Sequence, residues 1–154
     1  MAALRRLLRR ARSDSGAELV EFALVFPLLL LVVLGIADFG LMFQQYEVLT
    51  NAAREGARIA VLPNYASGDA QARVDQYIAA GFLSTGGTVT TTVSAPVKVQ
   101  ITPTNCMTVI TVTVTYPHQY LFLGGIGNYF NSTFGTHTLT AASTMRAEAA
   151  AGGC

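Results

Sequence analysis

The chain carries little charge: 12% of its 154 residues, against 51% that are apolar, with a mean hydropathy of +0.42. That balance excludes a disordered chain and is high for an ordinary soluble domain. At this length, one small domain plus an appendage is expected. Cysteine and histidine are scarce too, being confined to Cys106, Cys154, His118 and His137. These are zinc-type ligands without ligand spacing, so no metal site is expected. No Ser/His/Asp spacing resembles a hydrolase. The GGIGN stretch, Gly124 to Asn128, lacks the lysine and following helix of a phosphate loop. The expectation is therefore no enzyme, no cofactor and no small-molecule substrate.

Positive charge is thin except at one end. Arg5, Arg6, Arg9, Arg10 and Arg12 against Asp14 give the first sixteen residues a net +4; the whole chain is +1, which leaves −3 for the rest. No aromatic residue is interleaved with these arginines, so nucleic acid is not an expected partner. An arginine cluster just before an apolar run fixes membrane topology instead, with the basic end in the cytoplasm.

The apolar excess is concentrated in that run. Phe22 to Ala37 reads FALVFPLLLLVVLGIA, without charge, and apolar character resumes from Phe39 to Phe43. Ala17–Phe43 exceeds the ~20 residues needed to span a bilayer. Helical spacing then continues, with Tyr46, Leu49, Ala53 and Ala60 on an apolar stripe and Asn51, Arg54, Glu55 and Arg58 elsewhere. One helix is predicted from Ala17 to Leu62, stopped by Pro63 and roughly 70 Å long at ~1.5 Å per residue. Its first half is transmembrane and its second half amphipathic. Gly35-Ile36-Ala37 has the small residues of a signal-peptidase site, which would instead release a secreted domain beginning at Asp38. Helical periodicity running straight through that point weighs against it.

A shorter helix is predicted from Asp69 to Leu83, with Asp69 as N-cap and Ala72, Val74, Tyr77 and Ile78 as its apolar surface. From Thr88 the period becomes two. Val89, Thr91 and Val93 alternate with threonines, and after Pro96, Val97, Val99 and Ile101 alternate with Lys98 and Gln100. Met107–Tyr116 is the clearest strand, with Ile110, Val112, Val114 and Tyr116 on one face and Pro117 as its end. Gly124–Gly135 reads as a loop, and Thr136–Arg146 as a last strand presenting Leu139, Ala141, Ser143 and Met145. The fold class is α+β: the long N-terminal helix packed on a small antiparallel sheet, expected as a meander with one buried face, plus one short helix.

The start of the span reads Gly16-Ala17-Glu18-Leu19-Val20-Glu21-Phe22. A glutamate at the edge of a span costs free energy and asks for a reason. The exposed N–H groups of the first helical turns favour an anion. If the chain is cut after Gly16, Ala17 also gains an ammonium group about one turn from Glu21, which it neutralises within one chain or between neighbours.

These residues resemble type IV prepilins, specifically the TadE-like pseudopilins of the tight-adherence (Flp pilus) system. The resemblance rests on Gly16, Glu21 and Phe22 at the start, with Ala17 as the first residue after the implied cut. It continues through EFALVFPLLLLVVLGIADFG and NAAREGARIA, including Pro27, Arg54, Glu55, Gly56 and Arg58, and returns in TVTVTYP and LTAASTMRAE. It implies a basic cytoplasmic leader over 1–16 removed by a prepilin peptidase, a transmembrane segment over 17–43 and a periplasmic pilin-like domain over 44–154. It further implies a minor pilin that helps assemble Flp pili for adherence and biofilm growth. The expected partners are the peptidase, other pilins, assembly-platform proteins and membrane lipid. The alternative is a signal-anchored or secreted periplasmic binding module unrelated to pili.

Several features have two readings at this level. Pro27 removes one helical hydrogen bond, which either lets the helix bend during assembly or is tolerated as in many spans. Ala52, Gly56 and Ala60 form a small-residue row, either a seam between subunits or the place where the helix lies close on its own sheet. Arg54, Glu55 and Arg58 form either an interaction surface or a solvated face. Cys106 and Cys154, both beyond the span, are expected to pair in an oxidising compartment. His118 and His137 are expected on exposed loop or strand positions.

Overall fold

A computed structural model of the chain describes residues 14–64, 66–81, 87–103, 105–129 and 135–147. The first helix, α1, spans Asp14–Ala60 without interruption and contains Pro27. It starts three residues before the expected Ala17 and stops two before Leu62. The stop is a turn over residues 61–64, in which Leu62 N–H bonds to the Ile59 carbonyl and Asn64 takes φ 71°. Asparagine tolerates this left-handed conformation better than other non-glycine residues, so the chain reverses there at low cost.

Helix α2 covers Ser67–Ala80. Asp69 is not its N-cap but its third residue. Its carboxylate accepts from the Ala66 N–H at 2.8 Å, so it closes the first turn from inside. Ala70 and Val74 are the residues α2 buries, whereas the expected Ala72 and Tyr77 are exposed and Ile78 packs at the margin.

The strands are β1 (Thr90–Val93), β2 (Val97–Thr102), β3 (Asn105–Gln119) and β4 (Thr136–Arg146), all antiparallel in one sheet. The order is not a simple meander. β4 runs along one side of β3, and β1 and β2 share the other side end to end. Val93 faces Val112 and Val97 faces Val109, so three residues, 94–96, stand opposite two of β3. This is one edge strand interrupted by a bulge at Pro96, whose missing N–H an edge position tolerates.

Pro117 lies inside β3 rather than ending it, paired with Thr138. Ser94 N–H bonds to the Thr111 carbonyl and Ala147 N–H to the Thr108 carbonyl. Odd-numbered residues of β3 therefore turn their backbone groups towards β1, and even-numbered ones towards β4. At Pro117 the missing N–H points past Thr90, the first residue of β1, and no ladder bond is lost.

The core joins Leu49, Ala52, Ala53 and Ala57 of α1 to Val74 of α2, Val112, Val114 and Tyr116 of β3, and Leu139 and Ala141 of β4. The α1 stripe runs through Gln45 instead of the expected Tyr46, which is exposed. The two positions differ by one residue, about 100° around the helix. β2 is exposed at every position, against the expectation of a buried face. It pairs with residues 105–109 of β3, while the contact of α1 with the sheet centres on Val112 and beyond.

The glycine-rich stretch after β3 is also not all loop: Leu123–Tyr129 forms a helix of about two turns, α3. The fold is thus the expected α+β arrangement, with two short helices described instead of one.

Candidate functional site

Three groups of residues bear on function, all placed by α1. The first is the N-terminal segment. Gly16, Ala17, Glu21 and Phe22 lie on continuous helix, Glu18 and Glu21 are exposed, and the Phe22 and Phe26 rings stack at 5.2 Å. From Leu19 to Val33 the large apolar side chains are exposed. The helix from Gly16 to Ala60 is long and apolar enough to cross a membrane. The arginines of the expected leader and Cys154 lie outside the described residues. Cys106 sits half-buried on β3 and is disulfide-bonded.

The second group is Arg54-Glu55-Gly56-Ala57-Arg58. Glu55 Oε1 accepts from Arg73 Nε at 3.1 Å and Nη2 at 2.9 Å, and its Oε2 lies 3.5 Å from Arg58 Nε. Glu55 therefore ties α1 to α2. A charged partner 18 residues away on another helix leaves no trace in local spacing, and Arg73 was not foreseen. Gly56 is buried where α1 crosses both α2 and the sheet. A Cβ there would run into Val74 and lie 3.3 Å from Val112. Ala52 is fully buried and Ala60 packs at the core margin, so the small-residue row lets α1 approach its own domain. Arg54 and Arg58 are exposed.

The third group went unrecognised in the sequence. Asp38 is 1% exposed although it stands within the apolar half of α1. Its carboxylate accepts from three consecutive backbone N–H groups: Leu121 at 3.0 Å, Phe122 at 3.0 and 3.2 Å, and Leu123 at 2.7 Å. Those donors lead into α3, whose first N–H groups have no partner within the helix. Asp38 thus acts as an N-cap supplied from another element, and its charge opposes the positive end of α3. This acceptor explains why the Gly-rich stretch is helical.

Two turns further along α1, Gln45 Oε1 lies 2.6 Å from His118 Nδ1, both residues being buried. His118 was expected to be exposed, but as an even-numbered residue of β3 it falls on the core face. The amide oxygen accepts a hydrogen bond from Nδ1–H, which leaves Nε2 buried with no hydrogen-bond partner among the described residues. The ring packs edge-on to Tyr120 at 4.9 Å. Desolvation by burial lowers the His118 pKa; the Asp38 charge works against this shift and His137 adds to it. Among the described residues no group of His, Cys, Asp and Glu is placed to hold a metal ion.

Residues 16–58 match the family model described as TadE-like protein. This stretch of the chain is TadE-like. The match opens at Gly16 and closes at Arg58, so it contains Glu21, Phe22, Pro27, Arg54, Glu55 and Gly56 and leaves out the sheet, including TVTVTYP and LTAASTMRAE. No curated protein and no solved structure matches the chain. The apolar first half of α1 has the length and composition that membrane anchoring needs. The TadE-like stretch coincides with α1 almost from end to end: it is the membrane-type helix together with the seam on which the domain is built.

Proposed function

We propose that the chain is a minor pilin of the Tad system, held in a bacterial inner membrane by the first half of α1. The 1–16 leader is cytoplasmic, a prepilin peptidase cuts after Gly16, and the sheet domain stands in the periplasm, tied by a Cys106–Cys154 disulfide. Mature subunits take part in assembling Flp pili for adherence and biofilm growth, through contacts with other pilins and the assembly platform. The single observation behind this reading is the continuity of α1. A TadE-like helix runs unbroken from an exposed apolar half into a half welded to an α+β domain. Such a subunit can pass from bilayer to filament without refolding. The exposed Glu21 is then available to the new Ala17 ammonium group of the same or a neighbouring chain.

Intact-mass analysis of the membrane-extracted protein tests the proposal. A mature chain beginning at Ala17 is expected, and Gly16→Ala slows or blocks its appearance. A chain beginning at Asp38 would establish the secreted module instead, and one beginning at Met1 an uncut anchor. Unchanged processing of Gly16→Ala would remove Gly16 as the cut site.

A further inference from the structure

The segment after β3 inverts the usual pattern of a soluble domain. Among the described positions of α3 the buried ones are Gly124 and Gly127. Leu121, Phe122, Ile126 and Tyr129 are exposed, Leu121 at 60% and Tyr129 at 85%. Phe122, Ile126 and Tyr129 follow one another at intervals of four and three, which sets them on a single stripe. Water facing such a stripe is unfavourable, and from Gln119 to Tyr129 the sequence contains no charged residue to soften it.

The position of this stripe along α1 identifies what covers it. β3 descends along α1 towards the apolar half: Val112 packs by Gly56, His118 bonds to Gln45, and the Tyr120 hydroxyl lies 3.5 Å from Met42 Sδ. The Tyr120 ring then meets Phe39 at 6.0 Å, and the following backbone is held by Asp38. Leu34 and Gly35, one turn below Asp38 on the same side of α1, are half-buried. From Ala17 to Asp38 the helix rises about 32 Å at ~1.5 Å per residue, and a bilayer core is ~30 Å thick. Asp38 therefore stands at the level where α1 leaves the hydrocarbon. The exposed Phe39 and Phe43 of α1 continue the same apolar surface.

We infer that Leu121–Tyr129 is a second membrane-contacting element, a collar that seats its Leu121, Phe122, Ile126 and Tyr129 side chains in the lipid interface beside the exit point of α1. The inference rests on α1 being a membrane span. Aromatic and apolar groups at this depth suit the interface, where one end of a tyrosine is wet and the other is not. Asp38 has a double part in it. It removes its own charge from lipid by taking three backbone donors, and those same bonds fix α3 at the bilayer surface.

The chain has no tryptophan, so a single introduced indole is an unambiguous reporter. The full chain is reconstituted, one copy per disc, in phosphatidylcholine nanodiscs whose acyl chains are unbrominated, or are brominated near the glycerol end for the collar and Gln100 reporters and near the chain end for the Phe26 reporter. Ile126→Trp is expected to lose emission in the brominated discs. Phe26→Trp, within the span, is also expected to be quenched, and Gln100→Trp, on the far edge strand β2, is not. Tyr129→Trp repeats the test at a side chain that is mostly exposed, in case Ile126→Trp disturbs packing. Quenching of Phe26→Trp with both collar reporters behaving like Gln100→Trp overturns the collar and leaves the span standing. Loss of quenching at Phe26→Trp as well overturns the span and the collar with it. Shielding of Ile126→Trp only in discs holding two copies, without quenching by bromine, assigns the stripe to a second copy and refutes a lipid contact.

Discussion

Replacing Asp38 by alanine removes the acceptor, among the described residues, for the N–H groups of Leu121, Phe122 and Leu123. A single helix N-cap contributes up to ~2 kcal/mol, and hydrogen bonds to a charged acceptor contribute about 1.5–3 kcal/mol each. Three such bonds set a gross loss of roughly 5–9 kcal/mol. Two effects reduce it. The variant no longer buries a carboxylate, and Leu121 and Phe122 are exposed enough for water to reach part of the freed backbone. The net destabilisation expected is about 2–4 kcal/mol, a large part of the ~5–15 kcal/mol that holds a domain together. Asp38→Asn keeps one carbonyl oxygen and should fall between wild type and alanine. The assay is urea unfolding in detergent micelles followed by the near-ultraviolet tyrosine signal, with amide hydrogen exchange read at residues 121–123. Asp75→Ala, at an exposed position on α2, is the control. If Asp38→Ala unfolds at the same urea concentration as Asp75→Ala, and the 121–123 amides keep their protection, the carboxylate is not what holds α3.

Two further outcomes follow from the same interior. The folded-state pKa of His118 lies below the unfolded value, so the unfolded chain takes up the proton first as pH falls. The stability it contributes is fully present above ~6.5 and is lost as pH falls through the window between the two values, by up to about 1.4 kcal/mol per pH unit. His118→Gln should flatten the change in urea midpoint between pH 8 and pH 5; an unaltered slope would show that another group titrates. At Gly56, a side chain meets Val74 and Val112. Gly56→Ala gains ~1 kcal/mol of helix propensity against roughly 1–3 kcal/mol of overpacking, so it should be neutral to destabilising, by up to about 2 kcal/mol. Gly56→Leu has no such balance and should lower stability by about 3 kcal/mol or more, read from the thermal midpoint in micelles. A Gly56→Leu protein as stable as wild type would contradict the close crossing of α1 and α2.

Much of this architecture was legible because its causes are local. The run from Phe22 to Ala37 has no charge to stop a helix and nothing polar to bury, so length and hydropathy give its character. The alternation of Ile110, Val112, Val114 and Tyr116 with threonines reports the buried face of β3 directly, since successive side chains of a strand point to opposite sides. The Gly56 row was legible as a place of close approach, but which surface approaches it was not.

What the sequence by itself determined is the long helix with its apolar half, the α+β class and the TadE-like stretch, since each is written in residues that are near one another in the chain. Only the tertiary structure decided the role of Asp38. In the sequence it is a charge to be tolerated at the edge of an apolar run. In the fold it is buried, because the backbone donors that satisfy it come from Leu121–Leu123, 83 to 85 residues further on. The same holds for His118 with Gln45 and for Arg73 with Glu55. A polar group's partner is set by where the sheet and helices pack, and no spacing along the chain encodes that distance.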